Sequence, residues 1–110
     1  MKEVKNSVLS GYYSAGVGAV NHAYQLTKSK KIKLAKIWAQ KSEECWEQYF
    51  KKVDSSYHDA WLWYAFSLGI QGKLKEFENA LKKSALLGKL DHLNDPALKK
   101  IRKMVSESTK

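Results

Sequence analysis

Residues 60–70, AWLWYAFSLGI, carry apolar side chains around well over half the circumference of the helix they would form. Trp61, Tyr64, Ala65 and Leu68 fall on one face; Leu62, Phe66, Gly69 and Ile70 fall on the neighbouring one. Such a helix must be covered on more than one side. The 110-residue chain is long enough for one domain with one core, and Pro96 is its only proline. The segments between turn signals are long, which favours helices over strands. Hydrophobic residues make up 44% and aromatics 12%, enough apolar area to offset chain entropy, so global disorder is a poor description.

From Ser7 to Thr27 the spacing predicts a helix with Leu9, Tyr13, Val17, Val20 and Tyr24 on one face. Gly11, Ala15 and Gly18 form a second stripe, whose propensity cost of up to about 1 kcal/mol per glycine is best explained by a closely approaching neighbour helix. TKSKK (27–31) is a polar turn. A long helix then runs to about Val53 on a stripe of Ile32, Ala35, Ala39, Ser42, Trp46, Tyr49 and Val53. Ser56 with Asp59 is similar to a capping box and predicts a helix start near Tyr57. Gln71, Gly72 and Lys73 make the next turn. Leu74, Phe77, Leu81, Ser84 and Gly88 give the following stripe, with Gly88 able to end that helix as a left-handed cap. Asp95 caps a final helix that Pro96 begins, with Leu98, Ile101 and Val105 on its apolar face, and SESTK reads as a frayed end.

A shift of 42 residues superimposes the two central helix pairs: Ala19 falls on Trp61, Ala23 on Ala65, Leu26 on Leu68, Ile32 on Leu74, Ala39 on Leu81 and Ser42 on Ser84. Residues 59–88, with W-x-x-Y-A-x-x-L-x-x-x-G followed by L-x-x-F-x-x-x-L-x-x-S, resemble a tetratricopeptide repeat (TPR). Trp61, Tyr64, Ala65, Leu68 and Gly72 occupy the first-helix and turn positions; Leu74, Phe77, Leu81 and Ser84 occupy the second. Residues 7–53 would be a degenerate first repeat, with Lys30 in place of the turn glycine, 56–88 the second, and 95–106 a capping helix, all within a single domain spanning 1–110. The expected fold is all-α: antiparallel helix pairs in a TPR-like right-handed stack of about two repeats.

That resemblance implies protein or peptide binding on a concave face lined by the first helix of each repeat. Carried over, the face would show Asp59, Leu62, Phe66, Gly69 and Ile70, and Val17, Val20, Tyr24, Thr27 and Lys28. Tyr24, Lys28, Leu62, Phe66 and Ile70 are the expected partner contacts. The Lys and Asn positions that clamp a chaperone's C-terminal carboxylate are occupied mainly by Val, Tyr, Leu and Phe, so no such binding is expected. A competing expectation has the N-terminal helix folded over this face, leaving no groove. Self-association is a further expectation, because two repeats bury little on their own.

Net charge is +9, from 19 lysines and Arg102 against 11 acidic residues. Lys28, Lys30 and Lys31 favour an acidic partner protein. Nucleic acid is the alternative, but it would need solvent-facing tryptophans, and lysine lacks the forked contacts of arginine. His22, His58 and His92 lie far apart in the chain and Cys45 stands alone, so no metal, cofactor or disulfide is expected. Glu43, Glu44 and Glu47 read as a solvated face, and no catalytic constellation marks an enzyme. Residues 6–27 are too polar for a membrane span and poor as a signal peptide, so the expected compartment is the cytoplasm, with secretion through a weak signal kept as an alternative.

Overall fold

The computed structural model describes residues 2–108, with side chains from Gly11 onward. It is all-helical: α1 (Lys2–Lys28), α2 (Ile32–Lys52), α3 (His58–Ile70), α4 (Leu74–Gly88) and α5 (Pro96–Ser108), with no strand among the described residues. The α1 face from Tyr13 to Tyr24 packs inward; the Leu9 position lies outside the described side chains. On α2 the expected stripe is buried at Ala35, Ala39, Ser42, Trp46 and Tyr49. Asp95 caps α5, its carboxylate accepting from the N–H groups of Ala97 at 3.0 Å and Leu98 at 3.2 Å.

The 42-residue shift is written into the backbone. At the first turn the Lys30 N–H donates to the Thr27 carbonyl at 3.0 Å and the Lys31 N–H to Leu26 at 2.9 Å. At the second, Gly72 donates to Gly69 and Lys73 to Leu68, each at 3.0 Å. Both turns hinge on a positive φ, 62° at Lys30 and 82° at Gly72. Inside the pairs the Ser42 hydroxyl donates to the Gly16 carbonyl and the Ser84 hydroxyl to the His58 carbonyl, both at 2.7 Å. Each tapped carbonyl belongs to an ordinary helix turn and has a second lone pair to offer.

α3 is the shared element. It packs against α1, α2, α4 and α5, and eight of its thirteen residues are buried. This satisfies the demand of its apolar circumference for more than one cover. α5 packs against α3 and α1. The approach is close: a Cβ on Gly69 would sit 2.5 Å from Val105 Cγ2, so glycine there lets α5 settle onto α3. Leu98, Ile101 and Val105 are all buried in this contact.

Three local expectations are corrected. The Gly11, Ala15 and Gly18 stripe faces solvent, with no atom within 4 Å of a Cβ built on Gly11 or Gly18; the close approach uses Gly16 instead, one residue off that stripe and directly under Trp46. Ser56 does not cap α3, because its hydroxyl donates to the Asp54 carboxylate at 2.6 Å and Asp59 accepts from the Tyr13 hydroxyl at 2.7 Å. Gly88 is still helical, and the left-handed residue that ends α4 is Lys89 at φ 54°. Gly88 is required for space, since a Cβ there would lie 2.7 Å from Cγ of His58.

Candidate binding surfaces

The face expected to hold a partner is filled from within. Phe66 is 0% exposed, Ile70 4% and Leu62 9%, all within the principal core. Tyr24 of α1 packs on Phe66 with ring centroids 5.6 Å apart. Burying side chains of this size contributes about 1.5–3 kcal/mol each, so exposing them to a ligand would cost most of the fold's margin. Leu62, Phe66 and Ile70 are therefore core residues here, covered by α1 on one side and by α5 on the other. Trp61, Tyr64, Ala65, Leu68, Phe77 and Leu81 also pack into the core, whereas Leu74 is exposed.

Of the expected contacts, Lys28 is the one that stays in solvent, its ammonium 4.6 Å from the Tyr24 ring centroid. It belongs to the end of the molecule where both intra-pair turns meet. The sequence there is Lys31-Ile32-Lys33 at the first turn and Lys73-Leu74-Lys75 at the second, at repeat-equivalent positions. Ile32 is 44% exposed and Leu74 53%, although both were assigned to buried stripes. Their place at the first turn of α2 and α4 explains the difference: the end of α5 borders both residues through Ser108 and Ser106 but leaves open cavities beside them. Lys30, Lys36, Lys33 and Lys75 are also exposed, and Lys73 is held at 3.0 Å by Glu43. A cavity of about 270 Å³, lined by Thr27, Ile32, Ala35, Lys36, Ile70, Gly72 and Ser108, opens between the two turns. The exposure of Ile32 and Leu74 is the part that stripe spacing does not show; the signal for it is the repeated K-[I/L]-K pattern.

The remaining chemistry is structural. Cys45 is half-buried, and burial followed by the charge of Glu44 pushes its thiol pKa up, away from thiolate reactivity. Burial, then hydrogen bonding to Asp59, raises Tyr13; burial, then Asp54, pushes Tyr49 up to about 12. No group of three or more His, Cys, Asp or Glu side chains able to hold a metal occurs among the described residues. His22 sits edge-on to Trp38, His58 against Gly88, and His92 beside Arg102. No helix among the described residues is long and apolar enough to cross a membrane. No family model matches the chain, nor does any curated protein or solved structure.

Proposed function

We propose that the chain is a non-enzymatic protein-interaction module, a TPR-like stack of two helix pairs that takes an acidic segment of another protein at its turn end. The observation that carries this reading is the pairing of Ile32 and Leu74, two exposed aliphatic side chains at equivalent positions, each set between lysines. An aliphatic side chain flanked by carboxylates would seat its apolar part on Ile32 and Leu74 and its charges on Lys31, Lys33 and Lys75. The stacked-repeat description is supported by the recurrence of turn geometry and of the serine-to-carbonyl bond after 42 residues. The cytoplasm remains the proposed compartment.

The contact region thus moves from the middle of the α1/α3 face to its end, keeping Lys28 and the edge of Ile70 and releasing Leu62 and Phe66. The test is site-specific photocrosslinking in the source cell from Ile32, Leu74 and, as a remote control, the exposed Gln48 near the far end of α2. One partner protein captured from both turn positions and not from Gln48, and lost in a Lys31→Glu, Lys33→Glu, Lys75→Glu variant, supports the reading. Capture of nucleic acid from those positions, with affinity falling steeply in salt, would replace it by the polyanion reading. For that alternative Trp46 is fully buried and Trp61 gives one face to Phe50, so the half-buried Trp38, Trp63 and the other face of Trp61 are the stacking surfaces left.

A further inference from the structure

A second opening is lined by α3 and α4 alone. Its floor is Trp61, Tyr64, Leu68 and Ala80; Glu76, Asn79 and Lys83 stand at its rim, around a space of about 450 Å³. The floor is stiffly built. Trp61 stacks on Phe50 with centroids 4.1 Å apart and planes 13° off parallel, and its indole N–H donates to the Ser55 carbonyl at 2.9 Å. Tyr64 stands edge-on to both rings, 5.6 Å from Trp61 and 5.3 Å from Phe50. One face of Trp61 is therefore spent on Phe50 while the other meets the groove.

Two independent observations give this groove its sign. The first is a cation already in place: Lys83 Nζ lies 5.8 Å from the Trp61 ring centroid. The negative face of an indole attracts such a group, and the attraction grows as water is excluded. The second is a carboxylate, Glu76, at the rim of the groove on a chain of net charge +9. Burial, then the charges of Glu47, Glu43 and Glu76, pushes the phenol of Tyr64 in the floor up to about 12. Glu43 is taken by Gln71 and Lys73, whereas Glu76 makes no hydrogen bond or ion pair among the described residues.

The geometry points to an organic-cation site: a singly charged alkylammonium or quaternary ammonium group seated on the open face of Trp61 beside Glu76, displacing Lys83. An inorganic cation is not favoured by a floor of rings and aliphatic carbons. Multiply charged basic peptides are repelled by the +9 field of the whole molecule, so one charge on a compact apolar body fits best. The shared chemistry is the alkylammonium head; whether it is a methylated quaternary group or a primary amine is decided by titration.

The experiment follows the Trp61 indole N–H in proton–nitrogen correlation spectra of the full chain. It is titrated separately with tetramethylammonium chloride, n-butylammonium chloride, sodium chloride and tetralysine. Saturable movement of that resonance with one or both ammonium salts, and none with sodium, is expected; the tighter of the two identifies the class of head group. Glu76→Gln should weaken binding about threefold and Lys83→Met should tighten it about threefold, because the resident cation is gone. Both side chains are exposed, so thermal midpoints should stay near the parent value. The inference is overturned by no saturable shift in either the parent or the Lys83→Met variant, by weaker binding after Lys83→Met, or by tetralysine binding more tightly than n-butylammonium. None of these outcomes depends on the turn-end partner, since no lysine of that surface is altered.

Discussion

In the α1–α2 pair the closest approach places Gly16 under the indole of Trp46; in the α3–α4 pair it places Gly88 under the imidazole of His58. The two contacts are related by the 42-residue shift at both partners, yet the glycine has changed helices. The first pair puts its bulk on the second helix and the second pair puts it on the first. What the pairs hold in common is the serine hydroxyl that ties them, at 2.7 Å in each. Interhelical spacing depends on the summed volume at a crossing and not on which side supplies it. The placement still has consequences. Trp46 anchors a second cluster with Tyr49 and Ala60, edge-on to Tyr13 at 5.0 Å. To carry that cluster α2 runs to 21 residues against 15 in α4, nearly two turns longer.

The sharpest way to break the comparison is to overfill both contacts. A Cβ at Gly16 would lie 2.6–2.9 Å from three atoms of Trp46, a ring with no exposed surface and nowhere to go. Gly16→Val should cost about 3 kcal/mol in urea unfolding. Gly88→Val meets His58 just as closely, but that ring is half-buried and can swing toward solvent, so about 1 kcal/mol is expected. Equal losses would show that His58 is as firmly fixed as Trp46 and that the two crossings are mechanically alike.

The complementary swap shows where the sequence was readable and where it was not. Periodicity identified the stripes of α2, α4 and α5, because a buried face repeats every three or four residues whatever its neighbour. It also required that α3 be covered on several sides. It did not say by what. Whether Phe66 faced a partner, α1 or α5 depended on the path of a chain segment about thirty residues further on, and no local pattern encodes that path. The same blindness misassigned Ile32 and Leu74. Their spacing matches the buried stripes, but their height on the helix, level with the turns, leaves them uncovered. Lys89 in the left-handed region was hidden because the adjacent Gly88 is the residue that usually takes that role.

Removing the serine ties separates the pairs by a smaller margin. Ser42 donates to the Gly16 carbonyl and also accepts from the Trp46 indole N–H at 3.0 Å, so Ser42→Ala leaves the buried indole donor unpaired while the carbonyl keeps its helix bond. A loss of about 2 kcal/mol is expected. Ser84 makes the single bond to His58, and Ser84→Ala should cost about 1 kcal/mol. If the two substitutions cost the same, the indole must find another acceptor. A Ser42→Ala, Trp46→Phe double variant tests this, since it should cost less than the sum of its parts.

The smallest expected difference lies in the turns, where the pairs share a backbone shape but differ in residue. Lys30 adopts φ 62°, a left-handed conformation that costs a side-chain-bearing residue about 1 kcal/mol, while Gly72 reaches φ 82° without that cost. Lys30→Gly should therefore stabilise the fold, by about 0.5 kcal/mol once the greater freedom of glycine in the unfolded chain is subtracted. Gly72→Ala should destabilise it by about 0.5 kcal/mol, the same two terms with their signs reversed. A Cβ at Gly72 would meet no atom within 4 Å, so this second effect is conformational and not steric. Matched shifts of opposite sign in the thermal midpoint would show that the two turns are energetically one structure. A destabilising Lys30→Gly would show that the lysine side chain itself holds the first turn, and with it one edge of the basic surface.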